Sequence, residues 1–193
     1  MKARVKATPC NILEPVMDFI ERNPKKGVHW LCYALFGCDG KENPVGYMSP
    51  ILASSALALA DKMERAGHTQ LAAECLVVAG SFCASNIGLD VCRRAWKFAQ
   101  EHSEGIKKNE LTSINHNLIN ALVKRKRWRE ATMVLNRALC CEQTAYKFYY
   151  DYEPEHYIQT LEAHGQDVTK AKKIVARFEV CRLASERRKA VST

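Results

Sequence analysis

Apolar residues recur at helical spacing through most of the chain beyond residue 50. The first such run consists of Leu52, Ala56, Leu59, Met63 and Ala66. Its members follow one another at alternating steps of four and three residues, which places them on one face of a helix. Gly67 comes next and predicts the end of this helix, because glycine readily adopts the left-handed conformation of a helix C-cap.

The same spacing predicts four more helices downstream. The first of them follows Gly67 directly and is apolar over more than half of its circumference, so we expect it to be central. The other three carry apolar stripes at residues 89–99, 111–122 and 128–138.

The C-terminal part of the chain contains a further pair of predicted helices. Pro154 predicts the start of one, which closes near Gly165. The other begins near residue 167, and its expected inner face consists of Ala171, Ile174, Phe178 and Cys181. The aromatic segment AYKFYYDY at 145–152 is compatible with a helix or with an extended chain.

No strand pattern of comparable strength occurs, so the sequence predicts an all-α fold of stacked helical hairpins, a short α-solenoid-like array. Residues 1–50 differ from the remainder because they contain five of the six prolines and four of the nine glycines. We expect only short helices there, near 12–22 and 28–37. The predicted organisation is an irregular segment, 1–50, followed by a helical-repeat domain, 51–193.

An internal correspondence emerges when the sequence is shifted by 59 residues. The shift pairs Leu59 with Leu118, Met63 with Leu122, Ala72 with Ala131, Leu76 with Leu135, and Ala79 with Ala138. Small alanines let two helices approach closely, while leucines fill the groove between them. The pattern indicates two helical hairpins on one plan, with Gly67 and Lys126 at corresponding hinge positions.

Two segments resemble known helical repeats. INHNLINALVKRKRWREATMVLNRAL resembles a pentatricopeptide repeat, and KMERAGHTQLAAECL is similar to the hinge and second helix of a tetratricopeptide or pentatricopeptide repeat. The resemblance covers residues 52–84 and 112–141 and implies stacked hairpins that bind RNA or a partner peptide. The sequence departs from these families in its 59-residue offset, since tetratricopeptide repeats recur every 34 or so residues. Asn115 and Ile119 stand where that family has Trp and Gly.

The resemblance also assigns a role to one polar residue. In pentatricopeptide proteins a polar residue near the start of the first helix reads an RNA base, and Asn117 matches that place. Ala58 matches it in the first hairpin and cannot hydrogen-bond to a base. We therefore expect no base-by-base code along the chain.

The charge of the chain favours an anionic partner. Lys and Arg outnumber Asp and Glu by 29 to 21, which gives a formal net charge of +8. The densest basic run surrounds Trp128 and comprises Lys124, Arg125, Lys126, Arg127 and Arg129. A solvated turn, a nuclear-import signal and phosphate contacts to RNA are each compatible with it. Trp128 itself is spaced at three from Ala131 and seven from Leu135, which predicts a core residue.

A second basic surface is predicted near the C-terminus. It comprises Lys170, Lys172, Lys173, Arg177, Arg182, Arg187, Arg188 and Lys189. We expect Lys172, Lys173 and Arg177 to extend the RNA footprint, although a terminal helix with a charged outer side explains the same pattern.

Nine irregularly spaced cysteines, an odd number, indicate a reducing intracellular compartment rather than a disulfide framework. Those expected in the core are Cys75, Cys83, Cys92 and Cys181. Structural zinc usually requires paired Cys-x-x-Cys spacings, which the chain lacks, so we expect no metal. The alternative is a zinc site that draws on His29, Cys32 and Cys38, or on the adjacent Cys140 and Cys141 with His156 or His164.

The sequence offers few signals of catalysis or targeting. It contains no Walker loop, GxSxG or HExxH motif, so we expect neither an enzyme nor a cofactor. No apolar run approaches a membrane span of roughly 18 residues, and we expect a soluble protein of the cytoplasm or nucleus. The basic opening MKARVKATPC leaves a mitochondrial presequence open.

The leading hypothesis is a non-catalytic helical-repeat protein that contacts RNA or a ribonucleoprotein through its basic segments. The first alternative is a protein–protein adaptor of the tetratricopeptide kind. The second alternative is a small zinc-stabilised helical domain.

Overall fold

The computed structural model of the chain describes residues 22–23, 50–81, 86–141 and 144–191. Within these residues the chain forms eight α-helices, one short 3-10 helix at Ser103–Gly105 and no β-strand, which confirms the predicted all-α class. The α-helices are α1 (Pro50–Arg65), α2 (Thr69–Gly80), α3 (Asn86–Glu101), α4 (Lys108–Lys124), α5 (Trp128–Cys140), α6 (Ala145–Tyr152), α7 (Glu155–Ala163) and α8 (Thr169–Val191). None of the helices described here has the length and apolar content needed to cross a membrane.

The chain divides into two compact units. Unit 1 ends at Ile106, and unit 2 comprises Lys107–Thr193. The helices predicted near residues 12–22 and 28–37 lie outside the described residues, apart from Arg22, and so does the segment before the predicted boundary at residue 50.

In unit 1, α2 packs between α1 and α3, as its broad apolar surface predicts. Seven of its twelve residues are buried. Cys92 of α3 donates a hydrogen bond from Sγ to the carbonyl oxygen of Gly80, at 3.4 Å. Arg94 of the same helix forms ion pairs with Asp61 and Glu64 of α1. Polar contacts therefore connect α3 to both α2 and α1.

In unit 2, α4 and α5 form a hairpin, and α6 packs against both of them. Contacts with α4 fix the direction of α6 and α7: Ser113 meets Tyr152 at 2.7 Å between hydroxyl oxygens, and His116 Nδ1 meets the Tyr157 hydroxyl at 3.0 Å. Helices α6 and α7 thus follow one another in the same direction as α4. The interruption lies at Glu153, whose φ of 42° is left-handed, and Pro154 follows.

Helix α8 returns antiparallel to α6 and α7. Lys172 near its start pairs with Glu162 of α7, and Glu179 farther along accepts a hydrogen bond from the hydroxyl of Tyr149 in α6. Helix α8 also packs against α5. Unit 2 therefore consists of two stacked hairpins, and the aromatic segment 145–152, left open by the sequence, is helical.

The positions paired by the 59-residue shift are buried in both hairpins. Their exposed fractions are 3% or less: Leu59, Met63, Ala72, Leu76 and Ala79 in unit 1, and Leu118, Leu122, Ala131, Leu135 and Ala138 in unit 2. The two hairpins therefore share a packing plan. Membership of the tetratricopeptide or pentatricopeptide families stays a prediction.

The inner face of α8 differs in part from the prediction. Ala171 is buried, and Ile174 and Phe178 are half-buried, but Cys181 is exposed and is not a core residue. The buried side of the helix follows Val168, Ala171 and Val175, so Cys181 falls beside it rather than on it. The predictions for Cys75 and Cys92 are confirmed, whereas Cys83 lies outside the described residues.

Candidate nucleic-acid interface

The basic run lies on the turn between α4 and α5. The N–H of Lys126 donates to the carbonyl oxygen of Val123, and that of Arg127 to the carbonyl oxygen of Leu122, both at 2.9 Å. These two crossed bonds are those of a Schellman motif, which ends a helix with one left-handed residue. That residue is Lys126, with φ 57°. The turn that carries these side chains is therefore closed by two backbone hydrogen bonds.

A second turn of the same kind lies beside the first. The N–H of Gly165 donates to the carbonyl oxygen of Glu162 at 2.9 Å, and that of Gln166 to the carbonyl oxygen of Leu161 at 3.0 Å. His164 in this turn stacks on Trp128, with ring centroids 3.9 Å apart. The stack brings the α4–α5 turn and the turn before α8 to one end of unit 2.

Most of the hinge cations point to solvent. We define the hinge cluster as Lys124, Arg125, Lys126, Arg127 and Arg129. All of its members are exposed except Arg125, which is half-buried. Arg127 is paired with Glu130, and its side chain is 52% exposed. The N-terminus of α5 adds a positive partial charge at the same place.

Of the cations predicted on α8, Lys170, Lys172, Lys173 and Arg177 are exposed and Arg182 is half-buried, and only some of them lie near the hinge cluster. The side chains of Arg187, Arg188 and Lys189 lie outside the described part of the chain. Lys172 and Lys173 lie in the first turn and a half of α8, which begins just after the His164 turn, and Lys172 is paired with Glu162. Arg177 lies farther along the helix. Asp167 accepts a hydrogen bond from the N–H of Thr169 at 3.0 Å, and this bond holds the pKa of the carboxyl below its usual range.

Asn117 lies apart from this surface. Its side chain is 9% exposed, and it is on the packed side of α4 rather than at the hinge. Trp128, predicted in the core, is half-buried, with its indole covered by His164. The sequence did not indicate this stack, because the two residues are 36 positions apart and neither belongs to a motif.

The positive charge of the chain is concentrated in unit 2. Residues 107–193 contain 17 Lys and Arg against 10 Asp and Glu, a net charge of +7. Residues 1–106 contain 12 against 11, a net charge of +1. The hinge cluster therefore sits on the unit that would attract an anion.

A histidine inside unit 2 is another feature that the sequence did not reveal. His116 stacks on Tyr152 at 4.2 Å between ring centroids, and its Nδ1 is hydrogen-bonded to Tyr157. Burial, together with smaller contributions from the nearby His156 and Lys124, lowers its pKa to about 4. His116 is therefore a neutral packing residue near neutral pH.

A cleft of about 680 Å³ lies among α6, α7 and α8. Its lining consists of Tyr149, Tyr150, Glu153, Glu155, His156, Gln159, Glu179 and Arg182. Arg182 contacts both carboxylate oxygens of Glu179, at 3.1 and 2.5 Å, and Tyr149 donates to the same group. The bonds from Arg182 and Tyr149 lower the pKa of Glu179 to about 2, while the bond to Glu179 raises the pKa of Tyr149 to about 12.

Neither the possible metal ligands of the described residues nor comparison with known proteins indicates an additional functional site. Among the described residues, no group of three or more His, Cys, Asp or Glu side chains is placed to hold a metal ion. His29, Cys32 and Cys38 lie outside them. Comparison of the chain with protein-family models, curated proteins and solved structures found no match.

Proposed function

We propose that the chain is a non-catalytic helical-array protein whose unit 2 binds RNA, alone or within a ribonucleoprotein, through the hinge cluster. The observation that carries the proposal is the placement of exposed cations on a hydrogen-bonded Schellman turn beside the turn that precedes α8. A strained lysine at the left-handed position supports it as well, because the turn itself would be easier to form with glycine.

The proposed mechanism is electrostatic. Phosphates are drawn to a unit of net charge +7 and settle against the hinge cluster, with Lys173 and Lys172 at the edge of the footprint. Each neutralised phosphate releases counterions, so the logarithm of affinity for single-stranded RNA should fall by about 0.7 per contact for each tenfold rise in salt. Asn117 is left out of this surface because of its burial, and Arg177 because of its distance along α8.

The test is a salt titration of RNA binding by the full chain. Replacing all five residues of the hinge cluster by Gln should lower affinity by roughly 10- to 1,000-fold near physiological salt and flatten its salt dependence. A control with Arg65→Gln and Lys97→Gln, exposed cations of unit 1, should bind like the wild type. The proposal is contradicted if the affinity for RNA does not change with salt concentration, or if the five-residue variant binds RNA as tightly as the wild type.

Two observations favour the alternative, a protein–protein adaptor. The cleft among α6, α7 and α8 is large enough for side chains of a partner peptide. Val180 and Leu183 on α8 are also exposed, by 67% and 42%. A protein partner that is retained after nuclease treatment, and is lost with Tyr150→Ala in the cleft but not with the Gln variant of the hinge, would favour this function instead.

A further inference from the structure

A fixed aromatic ring lies next to the hinge cluster. The imidazole of His164 stacks on the indole of Trp128, at an angle of 25° between the two planes. Its Nδ1 donates a hydrogen bond to the carbonyl oxygen of Thr160, at 2.8 Å. These contacts hold the ring in one orientation, although the residue as a whole is exposed.

An exposed ring of this kind suits a nucleobase. Proteins that bind single strands stack bases on aromatic side chains, and a ring that is already immobile loses little conformational entropy when a base lands on it. Trp128 covers one face of the imidazole, and His164 as a residue is exposed to solvent. In a duplex the bases are already stacked and paired, so a base must be unpaired to reach such a ring.

The cations of the hinge cluster are close enough in the chain to contact a phosphate of the same nucleotide. Lys126 and Arg127 directly precede Trp128 in the chain, so the ring that supports His164 follows two members of the hinge cluster. A phosphate next to the stacked base would therefore meet positive charge without a change in the turn. Stacking does not depend on base identity, because every base has a π face.

We propose that His164, supported by Trp128, is a stacking platform for an unpaired base, and that unit 2 therefore prefers single-stranded to double-stranded RNA. This inference rests on the proposed function, because it takes the hinge cluster as the phosphate contact. The ligand class is single-stranded RNA of no fixed sequence.

The experiment measures binding of a fluorescein-labelled RNA oligonucleotide by anisotropy, both as a single strand and annealed to its complement. His164→Ala in the full chain should weaken binding of the single strand by roughly 5- to 100-fold and leave the duplex affinity and the salt dependence unchanged. His164→Phe, which keeps a ring, should bind the single strand like the wild type.

The outcomes separate this inference from the proposed function. If His164→Ala binds the single strand normally, or weakens strand and duplex equally, while the Gln variant of the hinge cluster still loses affinity, the platform is refuted and the proposed function stands. If the wild type binds no RNA, both are refuted.

A measurement on the wild type covers the case in which His164→Ala unfolds unit 2. Ring protons of His164 observed by NMR should shift when the single strand is added and stay in place when the duplex is added. Unchanged shifts in the presence of saturating single-stranded RNA would contradict the platform.

Discussion

The hinge of unit 1 and the hinge of unit 2 have the same backbone and different residues. In unit 1 the N–H of Gly67 donates to the carbonyl oxygen of Glu64 at 3.0 Å, and that of His68 to the carbonyl oxygen of Met63 at 2.8 Å. The left-handed residue is Gly67, with φ 75°, where unit 2 has Lys126. The turn can therefore be built from Ala-Gly-His as well as from Arg-Lys-Arg.

This difference distinguishes the residues that the turn requires in order to form from those that it does not require. A left-handed non-glycine residue costs about 1–2 kcal/mol relative to right-handed backbone, so Lys126 is a less favourable choice than Gly67 for the turn alone. Since the Schellman bonds form without any cation in unit 1, the turn itself does not require the three cations of unit 2, and the proposed function assigns them to binding.

The largest predicted effect on stability is the response of unit 2 to acid, which comes from His116. His116 is neutral in folded unit 2 and binds a proton more readily when unfolded, because its folded pKa is about 4 rather than 6.5. Protonation of His116 should therefore lower stability by on the order of 2 kcal/mol as pH drops from 6.5 to 4, and this contribution should be complete below pH 4. Urea unfolding across this range measures it.

The control is His116→Gln, which removes the titration and keeps a polar group. Its stability at pH 7 will differ from that of the wild type, but its slope between pH 6.5 and 4 should be flatter. Glu179, with a pKa of about 2 instead of 4.5, acts in a lower range, where its stabilising bonds are lost as pH falls towards 2. An unchanged slope in His116→Gln would show that His116 is not the group responsible.

The next prediction concerns the unit 1 hinge. Gly67→Ala should lower the free energy of unfolding by about 1 kcal/mol, since alanine must adopt the same positive φ. A Cβ at this position meets no atom within 4 Å, so the cost is conformational rather than steric. Gly165→Ala, with φ 72° and equally open space, is the matched variant in unit 2. Chemical denaturation that shows no loss for either would contradict the account of these turns.

The smallest stability effect is expected at the unit 2 hinge. Lys126→Gly should raise the free energy of unfolding by about 0.5 kcal/mol, because relief of the left-handed strain is partly offset by the greater entropy of glycine in the unfolded chain. The same variant should bind RNA slightly less well, since it removes one of the five cations. A gain in stability together with a loss of affinity would show directly that this position serves binding at a cost to folding.

The sequence predicted the helices well because their buried faces follow from the spacing of apolar residues along the chain. Gly67, Pro154 and Gly165 marked helix ends correctly, and the 59-residue shift identified buried positions in both hairpins. Cys181 was misplaced because it lies ten residues after Ala171, about 80° short of three full turns of an α-helix, and because no residue of α8 from 176 to 185 is buried.

The site was predictable only in part. The hinge cluster is contiguous in sequence, so its exposure followed from the position of a turn between two helices. The stack of His164 on Trp128 forms because the C-terminal end of α7 lies at the same end of unit 2 as the α4–α5 turn. The pairing of His116 with Tyr157 depends on the same packing. Such contacts between distant positions leave no periodic signal in a single sequence.

The most direct test of the central claim exchanges the two turns within one chain. The double variant carries Ala-Gly-His at 125–127 and Arg-Lys-Arg at 66–68, so its composition and its net charge of +8 are unchanged. Both turns keep the backbone they already share. If the hinge cluster of unit 2 binds RNA, the exchange should weaken affinity by about tenfold or more near physiological salt and reduce its salt dependence. An exchanged chain that binds RNA like the wild type, with the same salt dependence, would show that net charge alone attracts the RNA and would contradict the account.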